Sequence, residues 1–295
     1  KRTFFFMTIQ WFPGHMLETK KWLQQSAARS DVILEILDAR VPRASENPWM
    51  DQFTRNTPRV RVLNKMDLAD PDVTGQWLTY FKDQGYGCTL AINATDRSLA
   101  MTALEQAVKQ VPHNRARKKK VLVAGIPNTG KSTLLNTLAG KKVAKTGNIP
   151  AVTRHQQRTS LPNNIDIYDT PGILWPVIEP PRRAYALAIT GAISDTALDY
   201  QDIAWFAAGL LLSRYPKQLA ARYRFLDALP DNEHDLLEQI GRARGCLKAK
   251  GRIDFHKAAT VLIQDFRSGK IGKISVETPY DIIDDEEKNS DPTYI

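Results

Sequence analysis

Gly125-Ile126-Pro127-Asn128-Thr129-Gly130-Lys131-Ser132 is the stretch on which the reading of this 295-residue chain turns. It has the G-x-x-x-x-G-K-[ST] spacing of a phosphate-binding loop. Ahead of it, Val121-Leu122-Val123-Ala124 is apolar throughout and long enough for a strand buried on both faces. Behind it, Thr133-Leu134-Leu135-Asn136-Thr137-Leu138-Ala139 is apolar at helical spacing and stops at Gly140. Strand, glycine loop and helix N-terminus together aim backbone N–H groups and the helix dipole at a polyphosphate. Gly125, Asn128, Thr129, Gly130 and the first helical residues through Thr133 are therefore expected to line a nucleotide. Lys131 is expected to reach its β- and γ-phosphates, and the Ser132 hydroxyl to ligate Mg2+.

Outward from the loop, short apolar runs alternate with helical stretches. Val32 to Asp38, Val60 to Leu63 and Thr89 to Ile92 read as strands, and Ile165-Asp166-Ile167-Tyr168 alternates like one. Such alternation predicts an α/β fold, a parallel sheet flanked by helices. Lys141 to Arg158 is polar and reads as a loop, and Pro176, Pro180 and Pro181 mark a change of composition. Beyond them Ile203, Phe206, Ala207, Leu210 and Leu211 form a helical stripe, which Phe255, Ala258, Ala259, Leu262 and Phe266 repeat. The expected organisation is a P-loop domain over 7–180, a smaller all-helical domain over 181–280 and an acidic mobile tail over 281–295. Residues 1–6, ahead of Met7, read as an extension outside the fold.

Apolar content of 42% and charged content of 25% are those of a soluble globular protein. A net charge of +9 points to a polyanionic partner without saying which. Cys88 and Cys246 are too few for a disulfide framework and fit a reducing, cytoplasmic setting. No apolar run reaches the roughly 18 residues that span a bilayer, so no membrane partner is expected. The basic link His113 to Lys120 is by default a solvated charge run, with nucleic-acid contact as the alternative.

A phosphate loop does not choose between ATP and GTP, but Asn64-Lys65-Met66-Asp67 at a strand end does. The Asp67 carboxylate accepts paired hydrogen bonds from guanine N1–H and its 2-amino group. Adenine leaves that carboxylate partly unpaired, at about 1–3 kcal/mol. Asn64 is placed to bond the base edge, and the Lys65 stem to cover its face. Asp169-Thr170-Pro171-Gly172 closes the set: Asp169 suits the surroundings of Mg2+, and Gly172 lets its N–H approach the γ-phosphate. Thr153, in the loop between, is expected to join the Mg2+ shell only when a γ-phosphate is present. Trp11-Phe12-Pro13-Gly14-His15-Met16 is an aromatic turn whose histidine is either packed and solvated or able to reach a site built elsewhere.

The order of these motifs is unusual. Asn64 to Asp67 and Asn93-Ala94 precede the phosphate loop, and Asp169 to Gly172 follows it. With Asp38-Ala39-Arg40-Val41-Pro42 and the aromatic turn, the chain resembles the circularly permuted GTPases, in particular the ribosome biogenesis GTPase A subgroup. The resemblance implies hydrolysis of GTP to GDP, slow alone and stimulated by the ribosomal particle, during late maturation of the large (50S) subunit. It implies a helical RNA-contacting domain, which accounts for Arg242, Arg244, Lys248, Lys250 and Arg252. It also implies that the Ala94 N–H donates to guanine O6, that Asn128 helps hold K+ against the phosphates, and that His15 positions water. Ile173 stands where Ras-type enzymes carry the glutamine that orients water. In the permuted order the Asp169–Gly172 switch leads directly into the helical domain, so hydrolysis is expected to reposition that domain. Ala151 departs from the glycine more usual before the switch threonine. The partner is expected to be the large-subunit precursor, and the protein a monomer. Two rival readings remain, a GTPase coupled to RNA modification and a non-hydrolysing RNA-binding scaffold.

Overall fold

The computed structural model describes residues 9–10, 16–54, 57–112, 118–144, 157–162, 164–193, 199–224 and 229–281. In chain order the elements are β1 (Ile9–Gln10), α1 (Met16–Ala28), β2 (Val32–Asp38), α2 (Pro48–Phe53), β3 (Arg59–Asn64), α3 (Pro71–Asp83) and β4 (Thr89–Ile92). Then come α4 (Arg97–Lys109), β5 (Lys119–Ala124), α5 (Lys131–Ala139), β6 (Gln157–Leu161), β7 (Ile165–Asp169) and β8 (Val177–Ile178). Helices α6 (Pro181–Ile189), α7 (Tyr200–Arg214), α8 (Pro216–Tyr223), α9 (Glu233–Ala243) and α10 (Phe255–Arg267) follow. The chain divides into two compact units, Phe12–Pro176 with Glu277–Ile295 and Lys1–Trp11 with Val177–Val276.

The first unit is built on a six-stranded sheet of order β4-β3-β2-β5-β7-β6. Five strands run parallel and β6 runs antiparallel at the edge. All seven residues of the central β2 are buried, as a strand covered on both faces requires. Its alternate side chains go to opposite faces. Val32, Leu34 and Ile36 join Ala100, Ala103 and Leu104 of α4 and Leu134, Leu135 and Leu138 of α5. Ile33 faces Leu23 and Ala27 of α1 and Met50 of α2. At the strand ends Leu37 and Leu63 meet Trp77 and Phe81 of α3.

Helix starts follow the local chemistry. Asp70 caps α3 by accepting from the N–H groups of Asp72 and Val73, and Asp96 caps α4 through Ser98 and Leu99. Helix α5 differs: Gly130 precedes it and no side chain caps it, which leaves its first N–H groups open to an anion.

Two sequence expectations need correction. Gln157 and Arg158, read as loop, begin β6; Gln-Arg-Thr-Ser-Leu lacks an apolar run because only one neighbour, β7, covers this edge. The sheet is parallel, as expected, except at that edge. The compact units also divide at other residues than the composition suggested. Ile9–Gln10 pairs antiparallel with Val177–Ile178, so these residues group with the helical unit. Glu277 groups with the sheet: its carboxylate accepts from the Ala44 N–H (2.9 Å) and its carbonyl from Trp77 Nε1 (3.1 Å).

In the helical unit, α7, α9 and α10 bury Ile203, Ala207 and Leu211 with Leu236, Ile240, Ala258 and Leu262. Arg267 donates to the carbonyls of Ala188 and Ile189, satisfying the C-terminal end of α6. Among the described residues no helix is long and apolar enough to cross a membrane.

Candidate guanine-nucleotide site

Because β4, β3, β2, β5 and β7 are parallel neighbours, their C-terminal ends lie along one edge of the sheet, where open α/β sheets bind ligands. Asp38 ends β2, Asn64 ends β3, Asn93-Ala94 follows β4, Gly125 follows β5 and Asp169 ends β7. Segments distant in sequence thus gather whatever their order along the chain.

The phosphate loop is shaped by close approach of backbone. A Cβ on Gly125 would sit 2.4 Å from the Ile36 carbonyl oxygen. Gly130, at φ +99°, would place one 2.1 Å from Asn64 Nδ2. Only glycine allows both. Asn128 adopts φ +60°, a left-handed conformation that asparagine tolerates better than most residues. The Thr129 hydroxyl donates to the Ile126 carbonyl (3.1 Å). Lys131 is buried and its Nζ donates to the same carbonyl (2.7 Å). Burial pulls its ammonium down to about 8, against the attraction of Asp169.

Asn64 is a bridge between motifs. Its Nδ2 donates to the Thr129 carbonyl (2.7 Å), and its Oδ1 accepts from the Ala94 N–H (2.8 Å). The Ala94 N–H, expected to serve guanine O6, here serves Asn64. Asn93 orders that turn: its Oδ1 accepts from the Thr95 N–H and hydroxyl. Lys65, at φ +64°, donates from Nζ to Asp38 Oδ2 (2.8 Å) and to the Asn128 carbonyl (2.5 Å). The Met66 N–H donates to the Ile92 carbonyl (3.1 Å), and Asp67 is exposed at the rim.

Ser132 and Thr133 occupy the first turn of α5. Gly172 lies against the loop: a Cβ there would be 2.7 Å from Pro127 Cα and 3.0 Å from Lys131 Nζ. Ile173 is buried in the apolar cluster beneath, and its carbonyl accepts from Asn47 Nδ2 (3.0 Å). His15 and Thr153 lie outside the described residues.

Asp169 is fully buried, and neither of its carboxylate oxygens has a hydrogen-bond partner among the described residues; the Thr170 hydroxyl is likewise without one. Burial pushes the Asp169 carboxyl up to about 6, in spite of Lys131. Orphaned buried oxygens are costly, and a hard oxygen-seeking cation such as Mg2+ fits them. Asn128 offers an amide oxygen, a donor suited to K+. The raised Asp169 group has a thermodynamic consequence. The folded state keeps its proton to a higher pH than the unfolded chain, so this contribution is complete below about 4 and lost as pH rises through about 6. In nucleotide-free protein held in a chelator, Asp169→Asn should abolish that loss, worth about 3 kcal/mol. Urea unfolding of both proteins at pH 4.5 and 7.5 checks this and should read about 2 kcal/mol of it, because the unfolded carboxyl is already mostly ionised at pH 4.5; Glu35, raised by burial to about 7, shifts both proteins alike.

Sequence reasoning did not assign Asp38. The available signal was a carboxylate at the C-terminal end of a parallel strand, in register with Asn64 on β3. It did not anticipate that Asn64 would be occupied by protein groups, since those partners come from 30 and 65 residues away.

Residues 120–205, which carry the phosphate loop and Asp169–Gly172, match the family model described as 50S ribosome-binding GTPase. Ribosome biogenesis GTPase A of Priestia megaterium is 42% identical over 282 residues, covering 92% of this chain and 98% of that one. The Bacillus cereus protein of the same name is 40% identical, covering 96% and 99%. Among solved structures, a GDP-bound YlqF is similar with a TM-score of 0.65 at 29% identity, covering 88% of this chain and 99% of that one. GNP-bound YlqF from T. maritima is similar with a TM-score of 0.64 at 27% identity, covering 89% and 98%. With its motifs gathered at one sheet edge and its likeness running over nearly the whole length of these relatives, the chain belongs to the ribosome biogenesis GTPase A family and is a GTP-hydrolysing ribosome biogenesis factor.

Proposed function

We propose that this GTPase acts on the precursor of the large ribosomal subunit, holding the particle in its GTP state and leaving after hydrolysis. The observation that carries the reading is the gathering of Asn64–Asp67, Gly125–Thr133 and Asp169–Gly172 at the ends of adjoining parallel strands. The description of the matching family model, the net charge of +9 and the basic run Arg242 to Arg252 support a ribosomal RNA partner. The chain works as a cytoplasmic monomer, with the sheet unit as the GTPase domain and the helical unit as the RNA-contacting domain; both cysteines are free, as a reducing compartment requires.

Asp67 selects guanine, with Lys65 along the base, Met66 keeping the turn on β4, and Asn64 and Asn93-Ala94 shaping the pocket wall. The buried Lys131 ammonium, already poised close to the phosphate loop, balances charge that develops between the β- and γ-phosphates. Ser132, Thr153 and Asp169 hold Mg2+, which when bound neutralises phosphate charge; Asn128 contributes likewise to K+. Gly172 presents its N–H to the γ-phosphate. Ile173 cannot orient water, so His15 does, in the presence of the ribosomal particle.

The test is co-sedimentation with immature large subunits in the presence of GDP or a non-hydrolysable GTP analogue, alongside turnover with and without subunits. Retention with the analogue, release with GDP and subunit-stimulated turnover are expected. Equal sedimentation in both nucleotides would remove the switch, and unstimulated turnover would remove the particle as activator.

A further inference from the structure

The Asp38-Ala39-Arg40-Val41-Pro42 stretch has no part in the chemistry described so far. Its carboxylate is nevertheless heavily engaged. Asp38 is 3% exposed and accepts from Arg40 Nε (2.9 Å), Arg40 Nη2 (2.7 Å), the Arg40 N–H (3.1 Å) and Lys65 Nζ (2.8 Å). The turn around it is closed: the Asp38 N–H donates to Ser45 Oγ, which donates on to the Pro42 carbonyl, and the Val41 N–H donates back to the Asp38 carbonyl. The carboxylate is therefore held in place independently of any ligand.

Lys65 passes this anchorage on, for its ammonium also meets the Asn128 carbonyl of the phosphate loop. We infer that Asp38 is a positioning residue for nucleotide binding, clamping Lys65 so that the base element Asn64–Asp67 and the phosphate loop keep one spacing. The inference rests on the reading of Asn64–Asp67 as the base element. Its physical basis is charge. Lys65 and Arg40 place two cations together where little water enters, and burial draws the Lys65 ammonium below its ordinary range. The intervening carboxylate makes the pairing favourable, and Arg40 and Lys65 together outweigh burial to hold its own carboxyl well below the usual range. Without Asp38 the two cations repel, and Lys65 at φ +64° loses the partner that repays that backbone conformation.

A double-mutant cycle separates positioning from a general effect on the fold. Affinity for a fluorescent N-methylanthraniloyl GDP is measured for the parent, Asp38→Asn, Lys65→Met and the pair. Asp38→Asn is expected to weaken binding about tenfold or more in the parent and less than about twofold in the Lys65→Met background. The same factor in both backgrounds would overturn the inference. If Asp38→Asn does not fold because Arg40 loses the Asp38 carboxylate, Asp38→Asn/Arg40→Gln replaces it in the cycle. If neither folds at 25 °C, Asp38 serves the fold rather than Lys65, and the inference falls. Asp67→Asn in the same assay tests the underlying reading separately: undiminished GDP affinity there removes the base element, whatever the cycle shows.

Discussion

Lys131→Met should lower GTP turnover by about a thousandfold or more while leaving the nucleotide-free protein at least as stable as the parent. The two effects have different origins. In the absence of nucleotide the Lys131 ammonium is buried and donates to the Ile126 carbonyl, with burial already drawing it down to about 8. Methionine fills similar space, carries no charge to desolvate and leaves behind only Asp169, which burial has already pushed up to about 6 and so towards neutrality. With nucleotide the balance reverses, because the triphosphate loses a buried cation directed at it. Thermal unfolding with and without GDP, set beside single-turnover hydrolysis, reads both. The variant should match or exceed the parent's melting temperature when empty and gain much less from GDP. A variant that melts far lower when empty would mean that Lys131 is structural in the free protein.

Gly172→Ala should reduce hydrolysis more than about a hundredfold and weaken GTP-analogue binding more than GDP binding. The added methyl would lie 2.7 Å from Pro127 Cα, 2.8 Å from Pro127 N and 3.0 Å from Lys131 Nζ. Two of those atoms are backbone, so either the Asp169–Gly172 segment or the phosphate loop must move. GDP keeps its contacts with the loop, whereas the contact assigned to Gly172 is made to the γ-phosphate alone. Equilibrium binding of both nucleotides and single-turnover rates check the split. Equal weakening of both would mean that the methyl disrupts the loop itself.

What the sequence made legible was chemistry that is local to a few residues. The phosphate loop, the Asn64–Asp67 element and Asp169–Gly172 each announce themselves by residue type and spacing, and each sits at a strand end as expected. The buried strand β2 was equally plain, since a strand covered on both faces is apolar over most of its length. Strand β6 was hidden because an edge strand needs no apolar run, and Gln157-Arg158-Thr159-Ser160 resembles loop sequence. The bridge made by Asn64 and the clamp made by Asp38 depend on partners brought together only by the parallel register of β2, β3 and β5. Nor could composition reveal that Glu277 returns to the sheet unit, because that contact joins residues more than two hundred positions apart.

The permuted order of motifs is of no consequence to the site if the strand ends assemble one guanine pocket. Titration of the parent and of Asp67→Asn with fluorescent GDP and its xanthine counterpart, XDP, tests this most directly. Xanthine carries an oxygen where guanine carries its 2-amino group, so an asparagine amide pairs with it as the Asp67 carboxylate pairs with guanine. The account predicts that the parent prefers GDP and the variant prefers XDP, each by about a hundredfold. A variant that keeps the parent's affinity for GDP would contradict it.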